Sequence, residues 1–180
     1  MWFNTTSSSL KVFGKAAGIT SATWSSGGNL NSARYTAGGF GTQTSALGAG
    51  GNSGSQSTAT ETWDGTNWTE VNDLTMARHN HMKLGITSEA ALAVGGNTTE
   101  SGYQDNDVED WNGTNWSAGT AVLAAAGYGS SAGTYDSGLV FKWPGSETYC
   151  WNGSAWSEVA DRNIPRYEPV SYTHLRAHET

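Results

Sequence analysis

Trp63-Asp64-Gly65-Thr66-Asn67-Trp68 returns as Trp111-Asn112-Gly113-Thr114-Asn115-Trp116 and again as Trp151-Asn152-Gly153-Ser154-Ala155-Trp156. These three segments hold six of the nine tryptophans. Trp24 reads as the second member of an earlier, diverged pair, so successive closing tryptophans lie 44, 48 and 40 residues apart. Repeats of about 40 to 50 residues suit four-stranded propeller blades. Asp-Gly and Asn-Gly favour two-residue type I′ turns, in which both central positions take positive φ. With Asp64-Gly65 as that turn, Trp63 opposes Thr66 and lies diagonally from Trp68, whereas a four-residue loop sets the two indoles directly opposite. Either loop leaves both on one face, because side chains alternate along a strand. Identical placement in each repeat is what a shared core position requires, so the pairs are expected between neighbouring sheets rather than as stacking platforms for sugars or bases.

Two further landmarks keep the same phase. An arginine follows the closing tryptophan by ten positions in Trp24 to Arg34, Trp68 to Arg78 and Trp156 to Arg166, while Trp116 leads to Ala126. A small-apolar strand ends in paired glycines at Ser45 to Gly50-Gly51 and at Ala90 to Gly95-Gly96. Its third copy, Gly138-Leu139-Val140-Phe141, runs into Trp143-Pro144-Gly145 without the double glycine.

Arginine, then a strand closing in Gly-Gly, then Glu-x-aromatic-Asp before a final Trp resembles the Kelch repeat. Arg34, Gly50, Gly51, Glu61, Trp63, Asp64 and Trp68 hold the matching places in one unit, and Arg78, Gly95, Gly96, Glu109, Trp111 and Trp116 in the next. The likeness covers about residues 20 to 170. Departures are a shorter turn, Trp for the usual Tyr, and a third unit lacking its Arg and Gly-Gly. The resemblance implies an all-β, partial Kelch-like β-propeller of about three to four four-stranded blades, occupying residues 1–170 with units ending near Trp24, Trp68, Trp116 and Trp156. Trp2 to Thr6, Leu10 to Phe13 and the Gly-Thr-Gln-Thr at 41–44 also resemble repeat proteins of marine phages and environmental bacteria. The last ten residues, Ser171 to Thr180, resemble translated sequencing-adapter sequence and are set aside as a non-native tail.

Composition narrows the functional classes. Only 14% of the 180 residues are charged, and Gly, Ser, Thr and Asn recur throughout, which favours turns and short strands over amphipathic helices. A formal net charge of -7 argues against nucleic-acid or anionic-membrane partners, since both are polyanions. No stretch approaches the roughly 20 apolar residues of a spanning helix, and no signal-peptide pattern opens the chain. Cys150 is the single cysteine, which rules out an internal disulfide or a two-thiolate metal site within one chain.

Candidate chemistry is sparse. His79 and His81 are spaced i, i+2, which on a strand points both rings to one side as a two-His metal site needs, but no third ligand is near in sequence. The expectation is two half-exposed strand residues. Asp105, Asn106, Asp107, Glu109 and Asp110 offer oxygen ligands for calcium without the loop spacing such sites use, so a solvated loop is expected. Galactose oxidase shares a Kelch-type propeller, but Tyr149-Cys150 is merely an adjacent pair whose side chains point to opposite faces of a strand. No Gly-x-Ser-x-Gly, Walker or dinucleotide fingerprint occurs.

The expected function is therefore a non-catalytic binding or structural scaffold without catalytic, cofactor or metal residues. It would contact protein or glycan, extracellularly or on a virion such as a phage tail, with further repeats of the same propeller beside it. The alternative is a propeller enzyme, a galactose-oxidase-like oxidase or glycan hydrolase, whose active site lies in missing sequence. An arc of this kind should leave the faces near Trp24 and Trp156 more exposed than those near Trp68 and Trp116. It should also self-associate.

Overall fold

The computed structural model of the chain describes residues 2–4, 9–11, 27–99 and 104–165. Trp24, Arg166 and residues 171–180 lie outside them. The described residues are all-β, with three antiparallel sheets of four to five strands and a separate hairpin of β1 (Trp2–Asn4) and β2 (Ser9–Lys11). The first sheet runs β3 (Gly38–Gly41), β4 (Ala46–Ala49), β5 (Thr60–Trp63), β6 (Trp68–Glu70) in chain order. In the second, β7 (Arg78–His79) and β8 (Met82–Leu84) both pair with β9 (Ala91–Thr98), which is followed by β10 (Asp105–Trp111) and β11 (Trp116–Ala118). The third repeats the order as β12 (Ser130–Gly133), β13 (Gly138–Phe141), β14 (Thr148–Trp151), β15 (Trp156–Val159).

The sheets are arranged as blades. β8 lies against β3 on one side and β12 on the other, so the first strands gather at a common edge. Ser131 stitches two of them together: its Oγ accepts from Lys83 N at 2.8 Å and donates to Lys83 O at 2.6 Å. Close approach here depends on glycine, because a Cβ on Gly38 would strike the His81 ring and one on Gly138 the Leu84 side chain. The result is an open arc of three meanders, consistent with a partial propeller.

Each sheet has a back face turned to the preceding sheet and a front face turned to the next, set by the period-two alternation. Phe40, Leu47 and Ala49 on the first sheet's front pack with Ala91, Ala93, Trp111 and Trp116 on the second sheet's back. Leu84, Leu92, Val94 and Val108 on the second sheet's front pack in the same way with Val140, Trp151 and Trp156 of the third. Small residues on β4 and β9 let the sheets approach while the indoles fill the space between them. The core thus consists of two like interfaces in series, which is the energetic pattern of a repeat protein.

Candidate functional site

The tryptophan hairpins close through four-residue loops, so the indoles are directly opposed: Trp63 pairs with Trp68, Trp111 with Trp116 and Trp151 with Trp156. The two-residue type I′ turn is not formed. The first loop residue explains why, since its side-chain oxygen caps two backbone N–H groups. Asp64 Oδ1 accepts from Thr66 N and Asn67 N at 2.8 Å each, and Asn112 and Asn152 hold the equivalent amides. Glycine is needed at the second loop position, where φ is 94° at Gly65 and 91° at Gly113 and Gly153. Both bonds hold the Asp64 carboxyl below its usual range. Ring centroids in the three pairs are 5.5, 5.4 and 5.0 Å apart with tilted planes, a geometry that contributes about 0.5–1.5 kcal/mol beyond burial.

Burial follows the direction of packing. Trp111, Trp116, Trp151 and Trp156 are buried, whereas Trp63 and Trp68 are half-buried. The Trp116 indole N–H crosses to the first sheet and donates to Thr60 Oγ1 at 3.1 Å, and that of Trp156 donates to Thr120 O at 2.8 Å. Of the two faces expected to be the more exposed, the one near Trp24 lies outside the described residues; at the other end the Trp151 and Trp156 indoles are buried, and it is the opposite face of their sheet that stays partly exposed. The second and third pairs pack backward onto the preceding sheet and are covered, whereas the first described pair is half-buried against the segment around Gly28, whose carbonyl accepts from the Trp68 indole N–H at 3.2 Å.

Both described landmark arginines anchor an element of their own sheet. Arg34 Nη1 meets Glu61 Oε1 at 2.6 Å and Arg78 Nη2 meets Glu109 Oε1 at 3.1 Å, all four side chains being almost fully enclosed. Arg78 also donates to the carbonyls of Gly95 and Asp107, and Glu109 accepts from Thr75 N, Thr75 Oγ1 and Met76 N, so the buried charges are paired and hydrogen-bonded. In the third sheet Ala126 stands in the arginine's place and Tyr149 in the glutamate's, both within one apolar cluster. The ion pair is lost as a unit. Sequence reasoning noted Ala126 but missed its partner, although the signal was present: the residue two before the first Trp changes from Glu to Tyr in the one internal repeat that lacks its Arg.

The paired glycines are crossing points. Gly50 and Gly51 have φ of 64° and 105°, and Gly95 and Gly96 have φ of 61° and 96°. The second of each pair donates its N–H to the next unit's landmark residue, Gly51 to Arg78 O at 2.9 Å and Gly96 to Ala126 O at 2.7 Å.

Two residues beyond each landmark, Thr36, Asn80 and Tyr128 all adopt the left-handed conformation, with φ of 54°, 54° and 55°. Asn80 N donates to Thr36 O and Tyr128 N to Asn80 O, at 3.2 and 3.1 Å, so one main-chain relay links the three units. Non-glycine residues seldom hold this conformation, and its threefold recurrence marks a fixed structural device. Nothing in the sequence signals it, since Thr, Asn and Tyr differ in size and shape and none is the glycine that this conformation favours.

Asn80 also corrects the expectation of two half-exposed strand residues at His79 and His81. It breaks the strand between His79 and His81, so the pair does not share a strand face. His81 is buried, 4% exposed, and neither ring nitrogen has a partner among the described residues. Burial, then the charges of Arg78, Lys83 and His79, holds its pKa well below the ordinary value. The acidic stretch is likewise no solvated loop but strand β10. Asp105 accepts from Thr98 Oγ1, Glu109 is buried on the back face, and Asp110 on the front face accepts from Tyr135 O–H at 2.9 Å. Burial raises the Asp110 carboxyl and the Tyr135 phenol. Among the described residues no three His, Cys, Asp or Glu side chains gather as a metal site would need. Tyr149 is buried on the back face and Cys150 half-buried on the front.

Two clefts open between the elements. One of about 370 Å³ lies between the second and third sheets and includes Asp110, Gly119, Tyr135 and Trp151 in its walls. The other, about 310 Å³, lies on the first sheet and includes Leu30, Gly39, Gly48 and Trp68. No helix among the described residues is long and apolar enough to cross a membrane. No family model matches the chain, and none of the curated proteins matches it.

Proposed function

We propose that this chain is a non-catalytic scaffold of Kelch-like propeller repeats that displays a binding surface for protein or glycan, in keeping with a phage-tail or cell-surface component. One observation carries the reading: the left-handed relay repeats its backbone at Thr36, Asn80 and Tyr128 while its side chains differ completely. A constant frame presenting variable side chains is how rigid repeats serve recognition. Tyr35, 63% exposed beside Thr36, adds an aromatic of the kind that stacks on a sugar or fills a partner's pocket. The arginines and glutamates tie elements within their own sheets and the buried tryptophans join neighbouring sheets, which argues against assigning them to chemistry.

The test is an array of immobilised glycans probed with the 180-residue chain and with Tyr35→Ala, alongside assays of galactose oxidation and chromogenic glycoside hydrolysis. Binding that drops about tenfold or more in the variant, with no turnover, supports the reading. Turnover, or stoichiometric copper, zinc or calcium by elemental analysis, overturns it.

A further inference from the structure

The third sheet's front face is built like an interface but is left partly uncovered. Leu139 stands where the fully buried Leu47 and Leu92 stand, and Phe141 where Ala49 and Val94 do, yet both remain partly exposed. Thr148 holds the place of Thr60, the residue whose hydroxyl receives the Trp116 indole of the next sheet. Its own Oγ1 is buried without a partner among the described residues. An enclosed hydroxyl of this kind calls for a hydrogen-bond partner.

We propose that a second copy of this chain fills the face, docking the back of its first sheet head to tail onto the front of the third. The chain carries the complement itself. Trp63 and Trp68 are the half-buried pair, covered in part by the segment around Gly28, whose carbonyl accepts from the Trp68 indole N–H at 3.2 Å, and they face backward as Trp111 and Trp116 do where these cover the first sheet. Sizes match as well. Phe141 is the largest side chain at its position, while Gly48 is the smallest at the position held by Ala93 and Val140 on the other two back faces. The cleft of about 310 Å³ beside Gly48, Leu30 and Trp68 provides room for the phenyl ring. Arg162, whose guanidinium lies 5.9 Å over that ring, flanks the contact. Docking at both ends would set the three described sheets of each copy around one axis, a number of blades within the four to eight of known propellers. The interface is heterologous and continues the two intrachain ones.

Sedimentation of the 180-residue chain over a concentration series tests this. The expected result is a reversible dimer whose dissociation constant rises about tenfold to a hundredfold in Leu139→Lys, since a buried leucine is lost. Thr148→Val, which removes the hydroxyl and keeps the shape, should weaken association several-fold and leave the melting of the dissociated chain unchanged. Mixing Leu139→Lys with Trp68→Ala should restore a dimer through the one intact contact of each pair. A wild-type chain that stays monomeric at every concentration overturns the proposal, because the face is then free or covered within one chain. Self-association indifferent to Leu139→Lys and Thr148→Val overturns it too, by placing the contact elsewhere.

Discussion

At the residue scale, the clearest lesson is that buried charge here is exchangeable only in pairs. Arg78→Ala would leave Glu109 enclosed without its cation, and a loss of about 3–5 kcal/mol is expected in denaturant unfolding. Adding Glu109→Tyr copies the Ala126 and Tyr149 solution of the third sheet, so the double variant should be more stable than Arg78→Ala alone. Gly95→Ala presents a different fault. At φ 61° an added Cβ would meet Ala126 O and, at 2.7 Å, Asp105 O, and a loss exceeding about 2 kcal/mol is expected. Gly54→Ala, with no heavy atom within 4 Å of the added carbon, carries only the backbone strain of its φ of 110° and should cost less. His81 sets a pH dependence whose sign is fixed by its burial. Its folded pKa is depressed, so below about 6.5 the unfolded chain binds the extra proton and stability falls as pH drops, while above that pH the contribution is fully present. His81→Phe should flatten the acid limb of a melting curve followed from pH 7 to 5, and an unchanged slope would mean that another group governs it.

At the scale of elements, the hairpin shows what a sequence pattern conveys and what it conceals. The Trp spacing and the shared face of each pair were legible, because a period-two strand fixes them whatever the loop. Loop length was not, since Asp-Gly and Asn-Gly fit a type I′ turn and an Asx-capped four-residue loop equally well. The difference lies in which amides the Asp64, Asn112 and Asn152 oxygens reach. Asn112→Ala removes two such bonds on an exposed loop and should cost about 1 kcal/mol with the sheet register kept. Larger losses, with altered strand amide exchange, would show that the cap sets the register as well. The strand break at Asn80 was invisible for a similar reason: Arg78 to Leu84 alternates acceptably for one strand. What splits it is the relay bond from Asn80 N to Thr36 O, 44 residues back in the chain.

At the scale of the whole molecule, repetition decides both what is buried and what is left open. The sequence pattern pointed to an arc of about three to four blades with exposed outer faces, but not to which side of each sheet its tryptophans cover, because direction of packing is a property of the sheet pair and of no single repeat. Once each pair is seen to face backward, the half-buried Trp63 and Trp68 and the partly exposed Leu139 and Phe141 become the two ends of one series. The central claim is that these tryptophans fasten sheet to sheet, and a double-mutant cycle between Trp116→Phe and Thr60→Val measures that contact across 56 residues of chain. A coupling energy of about 1 kcal/mol is expected in the folded protein, with each single variant destabilised. Strictly additive effects would contradict it, for the second sheet's indole would then not be seated on the first.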